Sequence, residues 1–197
     1  MNEIPEERKL QLLRYIEREY FKQPERSWWQ AKNPVYTTTQ DYAKRCSGRK
    51  IETEELEIRY SRKKAVHRTA FLFIILAYPF LPDVIHGMLW KNVNPLYCII
   101  SILILSPYFS KAINRKSQIT ITTEGLWLHN KNVYIYWKYW VASFIKAYDD
   151  GENTYHSLVI HHYDPLHNEF TETEYKLNDD LEVSNEELAY YIEQWKR

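Results

Sequence analysis

The sequence predicts an α+β membrane protein, in which a transmembrane helical hairpin precedes a small antiparallel β domain capped by a C-terminal helix. Three observations carry this reading. Residues Thr69 to Ile113 hold two apolar runs, "TAFLFIILAYPFLPDVIHGMLW" and "NPLYCIISILILSPYFSKAI", more hydrophobic than any other stretch. From Gln118 the apolar period changes from continuous to alternating, the signature of strands. The chain then ends in an amphipathic pattern after Ser184.

The hairpin comes first. A spanning helix takes about 20 mostly apolar residues to cross about 30 Å of hydrocarbon. Pro95 to Ile113 meets this, with no charge before Lys111 and with Pro107 near its end. The first run is apolar from Phe71 to Leu81 apart from Tyr78, but Pro79, Pro82, Asp83 and His86 interrupt its second half. It reads as a kinked full-length helix or as a short one whose far end lies in the interface. Ionisable groups at membrane depth are costly and often functional, which makes Asp83 and His86 the polar candidates of the hairpin. The second run offers only Ser101 and Ser106 beside them, so a place at the outer interface is the plainer account.

Arg59, Arg62, Lys63, Lys64 and Arg68 precede the hairpin, and Lys111, Arg115 and Lys116 close it, with only Lys91 between the runs. Lys and Arg concentrate on the cytoplasmic side of spans, so both termini are expected in the cytoplasm, with a short loop around Lys91 to Asn94 outside. Trp90, Tyr97, Tyr108 and Phe109 would form an aromatic belt. The competing reading is a buried helical hairpin in a soluble protein. The expected division is residues 1–66 as an N-terminal cytoplasmic segment, 67–114 as the hairpin and 117–197 as a cytoplasmic β domain.

The 197 residues suffice for one or two small domains. The opening "MNEIPEER" is polar and shows no cleavable signal, so the first span is expected to act as its own insertion signal. Cys46 and Cys98 form neither a disulfide framework nor a zinc spacing. Net charge is zero, but unevenly spread: +5 over residues 1–68, +3 over 69–116 and −8 over 117–197. An acidic C-terminal region is a poor match for nucleic acid or anionic headgroups, both of which call for Lys and Arg.

Before the hairpin, Pro5 to Phe21 reads as an amphipathic helix through Leu12 or Leu13, Ile16 and Tyr20, with Glu3, Glu6 and Glu7 suiting its N-terminal dipole. Its charges are mixed in sign, which favours docking on protein over a place on the membrane surface with Trp28 and Trp29. Gln23 to Gly48 reads as irregular, with a short helix near Thr39 to Arg45. "IETEELEIRY", from Ile51 to Tyr60, suits either a strand or an extension of the first span.

After the hairpin, Ile119 and Ile121, Leu126 and Leu128, and Val133, Ile135 and Trp137 alternate in three strands separated by turns. A longer run from Trp140 to Tyr148 ends at the turn signal "DDGEN", Leu158 and Ile160 lie in the next strand, and Glu169 to Leu177 forms another. Ser184 and Glu187 make a capping box for the last helix, whose apolar face holds Leu188, Tyr191 or Ile192, and Trp195.

"QITITTEGLWL", "IYWKYWVASF" and "LNDDLEVSNEELAYYIEQW" resemble a pleckstrin-homology-like (PH-like) domain, an antiparallel β-barrel or bent sheet closed by a helix. With two spans before it, the chain resembles small bacterial inner-membrane proteins of the toxin-immunity type. The resemblance covers residues 65–197. It implies a multi-pass protein of the bacterial inner (cytoplasmic) membrane. It also implies that an early strand is missing or is supplied from before the hairpin.

"HHYDPLH" is the densest set of candidate metal ligands. It offers His161, His162, Asp164 and His167, but neighbouring strand residues point to opposite faces, and a solvated strand end is the plainer account. No cofactor is expected. The function expected is therefore non-enzymatic: a membrane-anchored protein whose acidic domain captures a protein partner, with a bacterial toxin as the specific form. Asp149, Asp150 and Glu152 at the acidic turn, and Tyr190, Tyr191 and Trp195 on the last helix, are the partner-binding candidates. The bilayer is the other expected partner, nucleic acid is not one, and a homo-oligomer is compatible with this reading. The alternatives are a lipid- or headgroup-sensing regulatory protein and a metal-dependent enzyme built on His161, Asp164 and His167.

Overall fold

The computed structural model describes residues 6–21, 34–46, 54–78, 95–177 and 180–196. It is α+β, and the chain divides into two compact units. The first comprises Met1–Ile58, Gln118–Asp179 and Val183–Arg197, and the second Arg59–Ser117 and Asp180–Glu182.

The first unit holds two four-stranded antiparallel sheets. Sheet A has the order β1 (Val35–Thr38), β6 (Trp140–Asp149), β7 (Thr154–Asp164), β8 (Glu169–Leu177). Sheet B has the order β2 (Glu55–Ile58), β3 (Ile119–Thr122), β4 (Gly125–Leu128), β5 (Val133–Tyr136). One strand of each sheet thus comes from before the apolar runs: β1 pairs with β6 and β2 with β3.

Strand parity sets the core. In sheet B the alternate residues Ile58, Ile119, Ile121, Leu126, Leu128 and Ile135 are fully buried. Sheet A is buried on both faces, so β7 carries the unbroken run Leu158-Val159-Ile160 instead of alternating. Ile145 and Leu158 pair on one face, and Phe144 and Val159 pair on the other. Helix α1 (Glu6–Tyr20) covers the second of these faces. Its Ile16 is buried with Phe144 and Val159, and Leu12 and Tyr20 pack beside them.

Helix α5 (Asn185–Trp195) starts at the capping box: the Glu187 amide donates to Ser184 Oγ at 3.2 Å, and the Ser184 amide donates to Glu187 Oε2 at 2.8 Å. Leu188, Ala189 and Ile192 are its buried face. It packs on helix α2 (Thr39–Ala43). Buried Thr39 lies 2.6 Å from the Ser143 hydroxyl and 2.5 Å from Glu193 Oε1. Thr39 Oγ1 has one proton and donates it to Glu193, so the Ser143 hydroxyl donates to Thr39.

The second unit contains helices α3 (Arg62–Ala77) and α4 (Pro95–Ile113). Tyr97 donates to the Leu76 carbonyl at 2.7 Å, while Arg68 and Lys111 both bind Asp180, so the helices run antiparallel. Asp180 is nearly buried, and a carboxylate there is tolerated because two cations hold it, Lys111 at 2.6 Å and Arg68. Lys64 donates to the neighbouring Leu181 carbonyl at 2.8 Å.

The expected transmembrane hairpin is corrected here. Among the described residues no helix is long and apolar enough to cross a membrane. Helix α3 has 16 residues, and Arg62, Lys63, Lys64, His67 and Arg68 occupy its first turns. Its apolar stretch from Thr69 to Ala77 rises only about 14 Å at 1.5 Å per residue. Helix α4 carries Ser101, Ser106, Pro107, Ser110 and Lys111 among its apolar residues. The correction extends to the fold class as a membrane protein and to the multi-pass inner-membrane location with both termini cytoplasmic. Asp83 and His86, the loop at Lys91 to Asn94, and Trp28, Trp29 and Trp90 lie outside the described residues.

Candidate interaction face

The outer face of sheet B is built by the residues that alternate with its core. Leu126, Leu128 and Ile135 point inward, so Trp127, Tyr134 and Tyr136 point outward. Register places them together: Trp127 lies opposite Tyr134, and Gly125 opposite Tyr136. Gly125 is required at this spot. A Cβ there would lie 2.3 Å from the Ile135 carbonyl oxygen and 3.0 Å from the Tyr134 ring, so any larger residue would push β4 and β5 apart.

The rings form a connected row. His129 stacks on Trp127 with centroids 4.6 Å apart and planes at 14°. Tyr134 meets Trp127 edge-on at 6.4 Å and Tyr136 at 4.7 Å, and Tyr136 meets Tyr139 at 6.1 Å. Hydrogen bonds hold the row: Thr120 and His129 Nε2 lie 2.8 Å apart, the Tyr134 and Thr122 hydroxyls 3.0 Å apart, and Trp137 Nε1 donates to the Thr122 carbonyl at 2.9 Å. Trp127 stays 41% exposed and Tyr136 42%. A cation already sits on this row: Lys138 Nζ lies 5.2 Å from the Tyr136 centroid and 4.8 Å from that of Tyr139. Across the sheet, exposed Glu55 and Glu57 on β2 lie opposite Thr122 and Thr120.

Sheet A has a second polar and aromatic cluster, beneath α1. Tyr20 stacks on Tyr36 at 4.1 Å and donates from its hydroxyl to Glu172 Oε2 at 2.7 Å. Burial, reinforced by Glu172, holds the Tyr20 hydroxyl far above its ordinary pKa, so it stays a donor. His161 is buried beside Tyr20 and Phe144. Its Nε2 has no hydrogen-bond partner, and the nearest carboxylate oxygen, on Glu172, is 3.9 Å away, beyond hydrogen-bond reach. Burial lowers the His161 pKa more than Glu172 raises it, so the ring is neutral at pH 7.

Comparison with known proteins gave no matching family model, no matching curated protein and no matching solved structure. The residues themselves therefore carry the functional argument.

The structure separates the residues that sequence reasoning had grouped. His161 lies on the α1 side of sheet A, while His162 lies on the other side with Nε2 3.1 Å from the Thr173 hydroxyl. Asp164 at the end of β7 and His167 in the exposed turn after it pair at 2.7 Å, which holds the Asp164 carboxyl below its ordinary range and raises His167. Among the described residues no group of three or more His, Cys, Asp or Glu is placed to hold a metal ion.

Asp149, Asp150 and Glu152 do lie together, at the β6–β7 turn where Gly151 adopts φ +95. Asp149 Oδ1 accepts from the Gly151 amide at 2.9 Å, and Asp150 Oδ1 accepts from the Glu152 and Asn153 amides at 3.0 and 2.7 Å. These bonds hold Asp150 ionised, its pKa below the ordinary value. Tyr190, Tyr191 and Trp195 are half-buried on α5. Tyr190 accepts from Gln194 Nε2 at 2.6 Å and lines a cleft of about 610 Å³ with Gln40, Lys44 and Cys46 of the α2 region. Sequence reasoning did not single out Trp127, Tyr134 and Tyr136 as a surface. The signal was present in their parity, opposite to that of the neighbouring Leu and Ile.

Proposed function

We propose that the chain is a non-enzymatic binding protein whose acidic unit captures a basic protein partner. The observation that carries this is the charge of the units. The first has 17 Lys and Arg against 23 Asp and Glu, a net −6, while the second has nine against three, a net +6. On the first unit Glu55, Glu57, Asp150 and Glu152 are exposed. A field of this sign speeds encounter with a basic partner and repels acidic ones. The toxin-immunity resemblance gives that partner a specific form, a basic toxin encoded beside this chain.

Mixing the purified full-length protein with the product of the adjacent gene tests the proposal by size-exclusion chromatography and binding kinetics. Co-elution is expected, with an association rate that falls as salt rises. An Asp150→Asn/Glu152→Gln variant should associate about two- to threefold more slowly. Absence of a complex at low salt would remove the proposal.

A further inference from the structure

We infer that the outer face of sheet B is a stacking platform for arginine side chains of an extended basic segment. This names the chemistry of the partner and rests on the acidic-capture reading above. Three features of the face select that occupant.

The first is the row itself. Trp127 keeps 41% of its surface exposed although His129 stacks on one of its faces, and Tyr134 stands at its edge. A flat guanidinium matches a flat ring, whereas a lysine ammonium meets it only as a point charge. The second is Lys138. Its ammonium lies within 5.2 Å of the Tyr136 centroid and 4.8 Å of the Tyr139 centroid, so the face already binds one cation from its own chain. The third is the acidic border. Trp127 on β4 and Glu57 on β2 stand in one cross-strand row, with Thr120 between them. At about 4.8 Å per strand they are about 10 Å apart. An extended segment presents same-side residues about 7 Å apart, so two arginines at i and i+2 reach the ring and the carboxylates together. An acidic segment is repelled by the carboxylates, and a neutral one gains nothing from them.

The test uses the full-length protein and two fluorescent probes, hexa-arginine and hexa-lysine, followed by anisotropy at low salt. Hexa-arginine is expected to bind about fivefold tighter than hexa-lysine. Trp127→Ala should weaken hexa-arginine about three- to fivefold and leave hexa-lysine within about twofold. Glu55→Gln/Glu57→Gln should weaken both. Lys138→Ala, an exposed change, should strengthen hexa-arginine about twofold by freeing Tyr136 and Tyr139.

Equal affinity for the two probes, with no effect of Trp127→Ala or Lys138→Ala, would overturn the platform while leaving acidic capture in place. Failure of both probes to bind would remove acidic capture as well.

Discussion

The outer faces of sheets A and B are made from the same kinds of side chain, yet they are in different states. Sheet A presents Tyr36, Phe144, His161 and Glu172, and helix α1 lies on them. Sheet B presents Trp127, His129, Tyr134 and Tyr136 beside Glu55 and Glu57, with Trp127 and Tyr136 about two-fifths exposed. The covered face shows how such chemistry takes an occupant. Ile16 fills the apolar centre with Phe144 and Val159, Tyr20 stacks ring on ring, and its hydroxyl finds the carboxylate. The difference lies in the centre. Sheet A offers an apolar floor that a helix can bury, whereas sheet B offers ring faces and no comparable aliphatic floor.

The largest expected effect breaks the covered face. Ile16 is 1% exposed, so Ile16→Ala removes buried methyl groups and leaves a cavity against Phe144 and Val159. Such truncations cost about 2–5 kcal/mol. Urea denaturation should show this loss, and amide exchange should show α1 losing protection before β7. A loss below about 1 kcal/mol would mean that α1 is not held by this contact.

A smaller effect comes from His161. Burial keeps its folded pKa below the ordinary 6.5, and half-buried His162 shifts the same way. A group with a depressed folded pKa binds protons more readily once exposed. Its contribution to docking is therefore complete above about pH 6.5 and declines as pH falls toward the folded value. Glu172, facing His161 at 3.9 Å, moderates this, while His162 adds to it. The protection of α1 amides relative to their intrinsic exchange rate should fall from pH 7.5 to 5.5, and His161→Phe should flatten that dependence. An unchanged profile would show that His161 does not report on docking.

The sequence disclosed these two faces unequally. Helix α1, the capping box at Ser184 and the strands from Ile119 onward were readable because local period and turn residues specify them. Strand β1 was not. "VYTT" is short and lies in a polar stretch, and it becomes a strand only through pairing with Phe144 to Ala147, more than a hundred residues on. The segment from Ile51 to Tyr60 suited a strand or a span extension, and pairing of Glu55–Ile58 with β3 decides for the strand. The apolar runs misled because composition reports hydrophobicity, not the length of the helix that carries it. Ser61 caps α3 and five basic or imidazole side chains fill its first turns, leaving too short an apolar stretch to span. The rings of sheet B were visible as residues but not as a face, because that required the register of β4 against β5.

The smallest expected effect sharpens the contrast. Trp127 is a large ring, and a core tryptophan cut to alanine costs about 3–5 kcal/mol. Here the ring stands on the outer side of β4, 41% exposed, with His129 on one face and Tyr134 at its edge. The inward neighbours Leu126 and Leu128 are fully buried and carry the packing of the strand. Trp127→Ala should therefore cost no more than about 1 kcal/mol in urea denaturation, the scale of the lost ring pairs. A loss near the core value would mean that the ring supports the fold, and the open face would then be structural. A small loss leaves Trp127 as an aromatic surface whose exposure stability does not explain, which is the condition a recognition surface must meet.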